Sequence, residues 1–133
     1  MAIEGLTTVA SSFSPTDTMD RFAAAATAKG LTVFARIDHA AGAAAAGLPL
    51  RATELVIFGN ARGGTPLMQA DQTMGIDLPL KALVYADVAG KVWLAYNDPA
   101  WLARRHGVGP EAEPTVKAMT AALAALAAAA TSP

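Results

Sequence analysis

The sequence predicts an α+β fold, a two-layer sandwich in which a mostly antiparallel sheet carries helices on one face. Three observations carry that expectation. Strand-like and helix-like periodicities alternate along 133 residues with no linker between them. Two strands, over 81–87 and 91–96, are separated only by Val88-Ala89-Gly90, so they form a hairpin and impose antiparallel pairing. Of 71 apolar residues 33 are alanine, and the 38 larger ones suffice for one core and not for two, so residues 1–133 read as a single domain.

The elements follow in order. Residues 6–12, with Thr7, Thr8 and Val9, suit a first strand. Ser14-Pro15-Thr16-Asp17 supplies an N-cap, a proline at the first helical position and an acid in the first turn. A helix therefore starts near residue 15, shows Met19, Phe22, Ala23 and Ala26 on one face, and ends at Lys29-Gly30. Over 31–38, Leu31, Val33, Ala35 and Ile37 point one way and Thr32, Phe34, Arg36 and Asp38 the other, which is a second strand. The alanine run 40–46 favours a short helix closed by Gly47 and Pro49. Residues 54–59 form a β-branched and aromatic strand, apolar on both sides.

Thr65-Pro66 reads as the cap and first residue of another short helix reaching about Met74. After the hairpin, residues 99–106 form a helix ended by Gly107. In the last segment Val116, Met119, Leu123, Leu126 and Ala130 recur at spacings of 3 and 4, an amphipathic alanine-rich helix over about 114–130. Thr131-Ser132-Pro133 is expected to fray.

Ten Lys and Arg against eleven Asp and Glu leave a net charge of −1, so there is no general attraction to nucleic acid or to anionic membranes, and neither is expected as a partner. The absence of cysteine removes thiol nucleophiles, disulfides and thiolate metal sites. His39 and His106 stand alone, without a spaced carboxylate motif, so no metal is expected. The start of the chain lacks the basic and apolar regions of a secretion signal, and the alanine stretches are too weakly apolar to span a bilayer, so a soluble, cytoplasmic protein is expected. Strands 54–59, 83–85 and 92–94 are apolar on both faces, while helices can cover only one side of a single sheet. A second copy of the chain is the preferred cover, giving a homodimer; helices on both faces, in three layers, are the alternative.

Three segments can carry chemistry. Arg36-Ile37-Asp38-His39 is the densest polar cluster: His39 oriented by Asp38 suits a general acid/base, and Arg36 suits an anionic group. The favoured reading of the same residues is structural, with Asp38 capping the following helix, Arg36 paired to a carboxylate across the sheet and His39 at the surface. Phe58-Gly59-Asn60-Ala61-Arg62-Gly63-Gly64-Thr65-Pro66 is a glycine-rich junction between a strand and a helix, a place where backbone N–H groups can meet an anion, although a tight turn at Gly59 and Gly63-Gly64 with Thr65 as helix cap is the favoured reading. Its spacing fits neither G-x-x-x-x-G-K-[ST] nor G-x-G-x-x-G, so no nucleotide cofactor is expected. Asp77, in Gly75-Ile76-Asp77-Leu78-Pro79-Leu80-Lys81, adds a carboxylate near the glycine segment if both lie at one end of the sheet. Trp93, Tyr96 and Trp101 with Arg104-Arg105 are better explained by core burial and by the helix C-terminus than by base stacking.

Residues 32–42, Pro49 to Asn60 with its Ile57-Phe58-Gly59-Asn60, Gly64-Thr65-Pro66-Leu67-Met68, and Asp77-Leu78-Pro79-Leu80-Lys81 with Trp93-Leu94-Ala95-Tyr96-Asn97, resemble the DUF302 family in order and over most of residues 6–106. The resemblance implies a compact α+β domain laid out like half of the TATA-binding protein and commonly dimeric. It implies no catalytic residues, because the family has no settled activity. It marks Arg36, Asp38, His39, Gly59, Asn60, Gly64, Thr65, Pro66, Asp77 and Pro79 as recurrent motif positions, with Ala61-Arg62 replacing a frequent proline-lysine pair.

The leading expectation is a homodimeric domain that binds a small anionic ligand in a pocket bounded by Arg36, His39, Asn60, Arg62, Gly64 and Thr65, with Asp77 nearby. The alternatives are a small-molecule enzyme using His39, Asp38 and Arg36, and a protein-interaction module using the apolar sheet face.

Overall fold

A computed structural model describes residues 2–133. Strands β1 (Leu6–Ala10), β2 (Thr32–Asp38), β3 (Thr53–Gly59), β4 (Leu80–Ala86) and β5 (Val92–Asn97) form one sheet in the order β1-β5-β4-β3-β2. All four neighbouring pairs are antiparallel. The helices are α1 (Pro15–Ala28), α2 (His39–Ala45), α3 (Ala61–Ala70), α4 (Pro99–Arg105) and α5 (Glu113–Thr131), with 3₁₀ segments at Gln72–Ile76 and Pro110–Ala112. The α+β class and the order of elements are those read from the sequence.

Local chemistry sets the helix starts. Ser14 Oγ accepts from the Asp17 N–H ahead of Pro15, and Asp98 Oδ1 accepts from Ala100 N–H ahead of Pro99, each satisfying a donor the helix leaves free. Helices α1 and α5 bury their apolar stripes on one face of the sheet: Met19, Phe22 and Ala26 from α1, and Leu123, Leu126 and Ala130 from α5, meet Val56, Phe58, Val84 and Leu94. Phe22 and Phe58 pack edge to face with centroids 5.1 Å apart, the arrangement aromatic quadrupoles prefer. A second cluster joins α3, the 3₁₀ segments, α4 and α5 through Leu67, Met74, Leu102, Ala112 and Val116.

The alternation read into β2 is broken. A bulge between Val33 and Ala35 places Val33 opposite Phe58 and Ile37 opposite Leu55, three positions apart on β3, so Val33 and Ile37 lie on opposite faces rather than one. The extra residue turns Arg36, opposite Val56, to the side of α1, where Asp20 stands.

The start of α3 also differs. Thr65 is not the cap: Asn60 is, with Oδ1 accepting from the Gly63 N–H at 2.6 Å, and Gly63, Gly64, Thr65 and Pro66 all lie inside the helix. Asparagine is a stronger N-cap than threonine, and its placement after the Gly59 turn starts the helix five residues earlier. Pro66, at the sixth position, withholds one helical donor and does not open the helix.

The expected fraying of the terminus is not seen at Thr131 and Ser132. Thr131 is buried, its hydroxyl donates to Ala127 C=O, and its carbonyl accepts from Ser12 N–H. Arg21, stacked 4.1 Å over Phe13, donates to the Ala129 and Ser132 carbonyls. Carbonyls that a helix end leaves orphaned thus find partners on α1 and the loop before it. On the sheet face turned away from α1 and α5, Leu55, Ile57, Leu83, Tyr85 and Trp93 are half-buried and Ile37 is 40% exposed.

Candidate functional site

The chain opens a cavity where β3 leaves the sheet. Gly59, buried with φ +150°, turns the backbone in a conformation that side chains disfavour and delivers Asn60 to the head of α3. Phe58 and Leu80, neighbours on adjacent strands, line the cavity from the sheet side. The first turns of α3 (Asn60 to Gly64) with Met68 form one wall, and Leu78-Pro79 another. Thr115, Ala118, Met119 and Ala122 of α5, with Leu31 and the 55% exposed Phe34, complete it. The cavity holds about 400 Å³, and none of its lining residues carries a charge. Asn60 Oδ1 accepts the cap bond, and the Nδ2 of the same side chain carries two N–H donors.

At this wall a Cβ on Gly63 would lie 3.0 Å from the capping Asn60 Oδ1, closer than ordinary contact, whereas Gly64 has room. Leu78 Cδ1 and Met68 Cε lie 3.6 and 3.8 Å from the place a Gly64 Cβ would occupy, ordinary contact distances. Alanine is therefore tolerated there, and larger side chains project toward the cavity lining.

A polar network stands beside that wall. Asp71 Oδ1 accepts from Thr73 N–H and, at 2.6 Å, from Thr73 hydroxyl; Thr73 Oγ1 lies 2.8 Å from His106 Nδ1, and His106 Nε2 lies 2.5 Å from Asp77 Oδ2. Arg105 donates to both Asp77 oxygens at 3.0 and 2.8 Å. The Asp71 carboxyl is held below its usual range, chiefly by the Thr73 hydroxyl and then by the Thr73 N–H. A hydroxyl, an imidazole and a carboxylate in line resemble a hydrolytic relay, yet the Thr73 hydroxyl donates to Asp71 and none of the three residues lines the cavity. The network pins Gln72–Ile76 to the end of α4.

The residues singled out from sequence divide sharply. Asn60 and Gly64 line the cavity, whereas Arg62 and Thr65 are exposed on α3 and outside the lining. Asp77 is spent on Arg105 and His106, though its neighbour Leu78 lines the cavity. Arg36 bonds Glu54 through two nitrogens and Asp20 through a third, which raises its pKa, Glu54 contributing most. Asp38 caps α2 by accepting from Ala41 N–H, and His39 is its exposed first residue.

The expected pocket joining Arg36 and His39 to residues 60–65 is therefore not assembled. Thr32 pairs with Gly59 at one end of β2 and Asp38 with Glu54 at the other, about 20 Å apart at a strand's rise per residue. Sequence reasoning missed Phe34, Met68, Thr115, Ala118, Met119 and Ala122. Phe34 sat at an exposed position of a strand, a usable signal, whereas Met119 looked like ordinary core stripe. His106 was missed because its partner lies 29 residues away. Among the described residues no group of three or more His, Asp or Glu is placed to hold a metal ion.

The family model described as "Domain of unknown function DUF302" matches residues 7–126. The chain belongs to the DUF302 family. A crystal structure of an uncharacterized conserved DUF302 protein from Bacillus stearothermophilus superimposes on it with a TM-score of 0.85. That superposition covers 96% of this chain and 99% of the other at 18% identity, a likeness of fold. Two Brucella proteins named fluoride-specific ion channel FluC 1, from Brucella suis biovar 1 and Brucella abortus biovar 1, are each 54% identical over 115 residues. The match takes in 86% of this chain but 45% and 43% of those proteins, so this DUF302 chain spans less than half their length.

Proposed function

We propose that this DUF302 chain is a small-molecule-binding domain whose site is the cavity at the Gly59–Asn60 end of the sheet. The uncharged lining carries the reading: a volume of about 400 Å³ falls within the range of ligand pockets, roughly 300–1,000 Å³, and apolar walls with a few polar groups are the usual make-up of such sites. An anion buried against this lining meets no cation, so the ligand's body is apolar. Of the residues named for the enzyme alternative, Arg36 is bonded to Glu54 and Asp20, Asp38 caps α2 and His39 is exposed at the head of that helix. The test is binding of the neutral apolar dye N-phenyl-1-naphthylamine, followed by its fluorescence. One site per chain is expected, and it is lost in Ala118→Trp, which fills the cavity from an exposed position of α5. Undiminished binding by the variant rejects the site.

Self-association fits the same reading. Leu55, Ile57, Leu83, Tyr85 and Trp93 form an apolar surface opposite α1 and α5, and a second copy is the simplest cover for it. Sedimentation at micromolar concentration is expected to give a dimer, and a monomer rejects it.

A second reading concerns context. The Brucella channels resemble this DUF302 chain over 115 residues, and the apolar helix Pro110–Thr131 of this chain is packed into the domain core through Val116, Leu123 and Leu126. We infer that ion conduction in those proteins belongs to the rest of their length and that DUF302 is a module attached to it. Fluoride flux through vesicles holding the Brucella protein should persist after its DUF302 region is deleted; complete loss of flux in a folded deletion protein contradicts this.

A further inference from the structure

We infer that the cavity takes a fatty acyl chain, with the carboxyl or ester oxygen of the chain at Asn60. This rests on the cavity being the ligand site and goes further in naming what enters it. The interior is formed by Phe58, Leu80, Met68, Leu78 and Met119, without a charged side chain, so a body carrying charges or many hydroxyls loses hydration there with nothing in return. The volume of about 400 Å³ lies within the range of ligand pockets and is enough for a single chain. Two of the walls present methionines, whose unbranched thioether chains adapt to a flexible occupant.

The head of the ligand is set by hydrogen-bond accounting. Asn60 Oδ1 accepts from Gly63 N–H at 2.6 Å, while its amide nitrogen has two N–H donors. Those donors suit a group that accepts, such as a carboxyl or ester oxygen. Thr115, on α5, is the other side chain of the lining with hydrogen-bonding capacity. An acyl chain is an apolar chain that ends in such an acceptor, and the same chemistry is offered by a free fatty acid and by a membrane lipid.

Isothermal titration with sodium decanoate, and flotation with phosphatidylcholine vesicles, separate the two sources. Saturable decanoate binding without flotation identifies the free acid, and flotation lost in Ala118→Trp identifies the lipid chain. The deciding variant is Asn60→Asp, which keeps an acceptor for Gly63 N–H but removes the donor and places a negative charge at the head. Its decanoate affinity should fall roughly tenfold or more, the loss expected for a hydrogen bond to a charged group, and by a larger factor than its affinity for naphthylamine, which carries no carboxyl head. Wild-type decanoate affinity in Asn60→Asp overturns the inference. So does naphthylamine binding with neither decanoate binding nor flotation, and that outcome leaves the cavity reading standing. Failure of all three probes rejects both.

Discussion

The two ends of the sheet are built on different chemistry. At one end Arg36 bridges Glu54 and Asp20, Asp38 caps α2, and the Asp87 carboxylate gathers the β4–β5 turn by accepting from Ala89 N–H, Lys91 N–H and the Trp93 indole. At the other end Gly59, Asn60 and the start of α3 surround a cavity without a charge. The charged end is rich in functional groups and has spent them on its own structure, whereas the cavity has space, an uncharged lining and the amide donors of Asn60. Density of polar residues in a sequence thus locates bonding within the protein as readily as bonding to a ligand.

Substitutions at the two ends break or sharpen that contrast. The largest effect is expected from Phe58→Ala, which removes a fully buried ring shared by the core and the cavity; about 3–5 kcal/mol of stability should be lost in denaturant unfolding. A loss below about 1 kcal/mol would mean that the core does not rest on this residue. Asp77→Ala leaves the nearly buried His106 ring without its carboxylate, and roughly 1–3 kcal/mol should go. In the same variant, proteolysis or hydrogen exchange should rise first in Gln72–Ile76, the segment the network pins. Uniform loosening of the whole domain would contradict the pin.

The charged end should respond weakly to substitution and visibly to acid. Its Asp87 carboxyl is held below the ordinary value of 3.8, most by the Trp93 indole N–H and next by Lys91 N–H. A carboxyl lowered in the folded state stabilises it above the unfolded value, and that contribution is lost as the pH falls through the lower folded value. Trp93 fluorescence should therefore change below about pH 4 in the native protein and lose that step in Asp87→Asn. The cavity, lined by no titratable side chain, should bind the neutral naphthylamine equally across the same range wherever the fold persists. Smallest of all, Arg36→Met should cost about 0–1 kcal/mol, less at high salt, because its carboxylate partners are partly exposed. A loss of several kcal/mol would make this end a structural keystone.

What the sequence revealed follows the range of the forces involved. The fold class, the hairpin and the cap at Ser14 are written in neighbouring residues, and so was the structural reading of Arg36 and Asp38, borne out by Glu54 and Ala41. The β2 bulge was hidden because one extra residue leaves the composition of a strand unchanged while reversing its faces. At α3, Thr65-Pro66 imitated a helix start that Asn60 supplies. The site itself was half legible: Asn60 and Gly64 were named, but a cavity is made by what surrounds it, and Leu31, Met68 and Met119 come together only after folding. Anionic specificity was inferred from cations that lie at the other end of β2 or outside the cavity lining.

The most direct measurement is an amide-resolved NMR titration of the isotope-labelled chain with decanoate. The cavity account predicts shifts that saturate together at Gly59, Asn60, Gly63, Gly64, Ala118 and Met119, with Arg36, Asp38 and His39 unmoved. Shifts centred on Arg36 and His39, with the cavity residues unchanged, would contradict it.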